Sequence, residues 1–137
     1  MSETAEIRAY MARIIRERGL HTGRHFIGPN GAVSISAAAF LAAHGYEPDS
    51  FRTDEDLAAT LISCSAPAMQ AIKAISGDLD TAPAFDVIAP GYETDDHIEH
   101  VEHWASTPQF RDEQPPSLNQ VIGRVLRTND IPRTLAA

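Results

Sequence analysis

Apolar residues recur at helical spacing in several separate stretches of the chain. Ile7, Tyr10, Met11, Ile14 and Ile15 stand at i, i+3, i+4, i+7 and i+8, one stripe of an amphipathic helix. Arg8, Arg13, Arg16 and Arg18 decorate the remainder, and Gly19 is a natural stop. A second helix runs from a Ser36 cap to about Ala43 and ends at Gly45. Ala37, Ala38, Ala39, Phe40, Leu41 and Ala42 make it apolar nearly all round, so it belongs at the centre. Thr53 followed by three acids is a helix start, with Leu57, Thr60, Leu61 and Cys64 as the stripe of the helix it opens. Pro67 interrupts, and a further helix with Met69, Ile72 and Ile75 inward runs to Gly77. Thr94 caps a helix to about Ser106. Ser117 and Gln120 form a capping-box pattern around the cleanest stripe of all, Leu118, Val121, Ile122, Val125 and Leu126.

Two stretches break the helical pattern. Gly28-Pro29-Asn30-Gly31, flanked by short β-prone runs, predicts a small hairpin at about 24–35. Residues 77–93 hold two prolines and two glycines and predict a long loop, pinned by Phe85, Val87, Ile88 and Tyr92. The expectation is a mainly α fold, a compact bundle of five or six short helices with one small β-hairpin, forming a single domain over residues 1–137.

Composition fits that picture. In 137 residues, 43% apolar and 22% charged side chains argue against wholesale disorder. No apolar stretch approaches the roughly 20 residues a membrane span needs. The single cysteine, Cys64, has no internal disulfide partner, and its apolar neighbours suggest a buried, inert thiol. The N-terminus lacks the apolar core of a secretory signal. These features point to the cytoplasm.

Charge narrows the partners. The formal net charge is −8, concentrated in residues 78–113, where ten acids face Arg111 alone. Such a block repels phosphate backbones, which argues against nucleic acid. It is a solvated face, a cation site or a docking face for a basic partner.

The histidines carry the candidate chemistry. On a helix over residues 94–106, Glu93, His97, His100 and Trp104 fall at i, i+4, i+7 and i+11, one stripe beside the buried face. A carboxylate and two imidazoles suit Zn²⁺ or Fe²⁺ with an open position, the fourth ligand coming from His21, His25 or Asp86. They suit a Glu–His pair for proton transfer equally well. Boundary or solvent positions are the plainer reading, and Trp104 is most simply core. Imidazoles beside this many carboxylates would also hold protons more tightly, a basis for a pH switch. His21, Arg24 and His25, around Gly23, form a second candidate, an anion or ligand site, against the simpler reading of a polar turn.

The order of parts resembles a family of short actinobacterial proteins of unknown function. The resemblance covers about residues 5–45 and 117–127, from Arg18-Gly19-Leu20-His21-Thr22-Gly23 through the small-residue helix to Asn119-Gln120-Val121-Ile122. Many members carry Cys and Gly after the hairpin, where this chain has Val33, Ser34 and Ser36. The resemblance implies a compact, mainly helical domain and no mechanism. On these grounds the leading expectation is a non-catalytic protein-interaction or regulatory module. It would bind a partner protein, or a second copy as a homodimer, through the first and last helices and the acidic face. The alternative is a small enzyme or metal- or ligand-binding protein using Glu93, His97 and His100.

Overall fold

The computed structural model describes residues 3–79, 83, 85–89, 92–108 and 114–128. Its elements, in chain order, are α1 (Glu3–Arg18), α2 (Ile35–His44), α3 (Ser50–Thr53), α4 (Glu55–Ser63), α5 (Ala66–Asp78), β1 (Phe85–Ala89), β2 (Tyr92–Asp95), α6 (His97–Ser106) and α7 (Leu118–Arg127). The fold is mainly helical. Among the described residues there are seven helical segments, more than expected, because a single turn, α3, precedes α4.

Helix α2 is the centre. Every residue from Ile35 to Leu41 is buried, and α1, α5, α6 and α4 pack around it. Its alanines are small enough to let these neighbours approach closely. Its cap is Ser34, not Ser36: the Ser34 hydroxyl accepts the N–H of Ala37 at 3.1 Å. At the other end Gly45 takes a left-handed conformation, φ 76°, and returns its N–H to the Leu41 carbonyl.

The remaining helix starts also sit slightly off the sequence expectation. Asp54 rather than Thr53 caps α4, and Asp96 rather than Thr94 caps α6. Helix α5 runs past Gly77 to Asp78. The capping box at Ser117 and Gln120 forms as expected.

The predicted hairpin at 24–35 does not form a ladder. Val33 makes only isolated bridges, antiparallel to Ile27 and parallel to Leu20. Across the turn the Gly28 N–H donates to the Ala32 carbonyl and the Ser34 N–H to the Phe26 carbonyl, both at 2.9 Å, and the pairing extends no further. Phe26 and Ile27 donate to the Phe51 carbonyl, and Ser34 leaves the run at once to cap α2. The antiparallel pair lies instead across the predicted loop and the expected start of the next helix, where β1 runs against β2, with Phe85 opposite Asp95 and Val87 opposite Glu93. The side chains of Phe85, Val87, Ile88 and Tyr92, expected to pin the loop, lie outside the described residues.

Three orientations depart from the stripe reading. On α4, Ala58 and Ile62 face the core, while Leu57 and Cys64 are exposed. The thiol expected to be buried is therefore at the surface. Leu61, the remaining large apolar residue of the expected stripe, is half-buried beside the docked face. On α1, Tyr10 is exposed, whereas Arg8, assigned to the solvent side, is buried. The Arg8 guanidinium reaches the C-terminus of α7 and donates to the carbonyls of Val125, at 3.3 Å, and Thr128. Those carbonyls end the helix without intrahelical partners, and the helix dipole favours a cation there.

Arg8 thus joins the first and last helices. Arg8→Ala should lower the unfolding free energy by about 2–3 kcal/mol, the value of charged hydrogen bonds lost from a buried site. Urea denaturation measures this directly, and an unchanged midpoint would contradict the assignment.

Candidate functional site

The two faces of α6 go to different places. One face carries His97, His100, Val101, Trp104 and Ala105, of which His100, Val101 and Ala105 are buried. The other carries Asp96, Glu99 and Glu102, which line an open cleft of about 520 Å³.

The histidine face closes on α5. The Ser76 hydroxyl lies 2.9 Å from His97 Nδ1 and 2.6 Å from His100 Nδ1. One hydroxyl has a single proton to give, so at least one of these imidazoles must donate to the serine oxygen. Ser76 is 1% exposed and His100 4%, and neither His97 nor His100 lines the cleft. Glu93 is not on this helix. Its backbone belongs to β2, so the one-turn spacing to His97 does not hold. The side chains of Glu93 and Asp86 lie outside the described residues. Trp104 is half-buried against the core, with the Arg124 guanidinium 5.8 Å from its ring centre. Among the described residues no group of three or more His, Cys, Asp or Glu is arranged to hold a metal ion.

The second candidate set does come together. His21, Arg24 and His25 line the same cleft as Glu99 and Glu102 of α6 and its cap Asp96. Glu55, Asp56 and Ala59 of α4 form another side, with Phe26 and Ser34 between. Sequence spacing could not join these carboxylates to the loop, because they arrive from helices 30 and more residues away.

The loop is held in three ways. His21 Nε2 is 2.7 Å from the Arg24 carbonyl, so this nitrogen carries the proton. The other ring nitrogen faces Gly28, where an added Cβ would lie only 2.7 Å from it. Glycine at 28 therefore serves the packing of His21. Finally, the His25 N–H donates to Glu55 Oε1 at 2.8 Å, with His25 in a left-handed conformation, φ 68°. That conformation costs a non-glycine residue about 1–2 kcal/mol.

Glu102 forms the deepest carboxylate of the cleft. Its Oε2 accepts the Ser36 N–H at 2.9 Å, in the first turn of α2. Burial pushes its pKa above the ordinary carboxylate value, and hydrogen bonds from Ser36, Ser34 and Ile35 oppose the shift without cancelling it. The chain matches no protein-family model, no curated protein and no solved structure.

Because folding strengthens proton binding at Glu102, its contribution to stability is complete below the ordinary carboxylate range. It is lost as pH rises through the raised value. Glu102→Gln keeps an acceptor for Ser36 without the charge. Urea unfolding from about pH 4 to pH 8 should show the wild type losing stability relative to this variant. Parallel curves would contradict the raised proton affinity.

Proposed function

We propose that this chain is a non-catalytic interaction module of the cytoplasm, whose acidic cleft docks a basic side chain of a partner protein. The observation that carries the reading is the cleft itself. Glu55, Asp56, Asp96, Glu99 and Glu102 surround it against Arg24, and Phe26 and Ala59 add apolar surface. Lysine and arginine pair an apolar stem with a charged head, and this lining offers a counterpart to each. Its volume is in the range of sites that take a small ligand group. Complementary charge also speeds and orients encounter with a basic partner.

The alternative of an enzyme or metal site needs Glu93, His97 and His100 to converge on an opening. His97 and His100 converge on Ser76 instead. Self-association through the stripes of α1 and α7 meets a similar obstacle. The two helices pack on each other within one chain, burying Ile7, Met11, Ile14 and Ile15 with Val121, Ile122 and Val125. A lone exposed thiol at Cys64 suits a reducing compartment. Among the described residues no helix is long and apolar enough to cross a membrane.

A fluorescent peptide with three consecutive arginines tests the reading by anisotropy. It should bind, and bind more weakly as salt rises. Glu99→Gln should weaken it about two- to five-fold, the range of an exposed charge pair, while Glu17→Gln on α1 should not. Absence of binding, or equal effects of the two variants, would overturn the proposal.

A further inference from the structure

Among the described residues, His25 is the one non-glycine residue with a positive φ, 68°. That conformation is disfavoured by about five- to thirty-fold for an L side chain, so the surroundings must impose it. The peptide unit that turns with this φ joins Arg24 to His25. Its carbonyl and its N–H point in opposite directions, and both are held. The carbonyl accepts from His21 Nε2 at 2.7 Å, and the N–H donates to Glu55 Oε1 at 2.8 Å. The two holders come from different places. His21 sits on the same loop, with its own N–H fixed to the Val33 carbonyl at 2.7 Å, whereas Glu55 opens α4. Beyond the tip, the Phe26 N–H is fixed to the Phe51 carbonyl at 3.1 Å. Residues 22–25 therefore hang between two anchored ends, and they line the cleft.

Magnitudes show that both holds are needed. A neutral hydrogen bond opposes a flip of this peptide by about two- to tenfold, and a bond to a carboxylate by about tenfold or more. The Glu55 side chain is 48% exposed, which puts its bond at the lower end. Either hold alone is no larger than the strain, and the two together exceed it. We infer that His21 and Glu55 form a two-jawed clamp on the Arg24–His25 peptide, a conformational switch that keeps the 22–25 tip in its strained form and releases it when either jaw is lost. On release His25 returns to a negative φ and the peptide turns over, so that its N–H leaves Glu55 and its carbonyl leaves His21 together. The clamp sets the shape of the cleft, whatever docks there.

Hydrogen exchange of the His25 amide, followed by NMR on the full chain, reads the clamp. Glu55→Ala removes the acceptor and should speed this exchange about tenfold. His21→Ala is the sharper variant, because His21 bonds the carbonyl side of the peptide. It should speed exchange of the His25 amide about two- to tenfold although Glu55 is intact. His21→Gln, which keeps an N–H donor at similar reach, should restore the protection. Asp56→Ala removes a neighbouring carboxylate from the same turn of α4 and should change nothing. The Ile27 and Ser34 amides, bonded to the carbonyls of Phe51 and Phe26, should stay protected in every variant. A His25 amide as well protected in His21→Ala as in wild type would overturn the clamp. Equal acceleration at Ile27 and Ser34 would overturn it too, since the whole loop would then have come loose.

Discussion

Helix α2 is buried from Ile35 to Leu41, and a buried helix start must find acceptors for its first N–H groups inside the protein. Two side chains meet that demand. Ser34 takes the N–H of Ala37, and Glu102, from an element 66 residues further along, takes that of Ser36. The apolar character that makes α2 the centre of the bundle therefore requires a carboxylate next to the core. That carboxylate is partly buried at the edge of the cleft, and its raised proton affinity follows from the burial.

Placing Glu102 at the start of α2 orients α6. With Glu102 on that side, the opposite face of the helix presents His97 and His100 to Ser76. Asp96 and Glu99 then stand beside Glu102, at the edge of the loop that leads into Ser34. The loop closes the arrangement through Glu55, which fixes its backbone from α4. The cleft is thus a product of capping one helix from within, and its acidity comes with the cap.

The sequence made the helices legible where periodicity was reinforced by a local stop or start. Gly19, Gly45 and the Ser117–Gln120 box mark α1, α2 and α7 because their signals lie within the element itself. At 24–35 the two sides of the turn meet in one short bridge, but the Phe26 and Ile27 N–H groups go to Phe51 and Ser34 caps α2, so no ladder grows from it. Those partners are distant in sequence. The orientation of α4 was hidden for a related reason, since the core takes Ala58 and Ile62 and leaves Leu57 at the surface.

The site was legible only in fragments. His21, Arg24 and His25 stood out as a cluster, and Asp96, Glu99 and Glu102 entered only as part of the acidic block at 78–113, with nothing local to join the two groups. The Glu93–His97–His100 stripe assumed a helix starting several residues earlier than Asp96 allows. Glu102 was counted only within the acidic block, and its role depends on Ser36, a contact no periodicity reveals. The signal that would have helped is the need of a fully apolar helix for an internal cap.

The central claim is that the cleft between the 21–26 loop, α4 and α6 is the surface a basic partner meets. Backbone amide shifts followed by NMR during titration with the triarginine peptide test it most directly. The account predicts that the shifts gather at Thr22–Phe26, Glu55–Ala59 and Asp96–Glu102. Shifts gathered instead on the exposed sides of α1 and α7, around Tyr10 and Leu126, would contradict it.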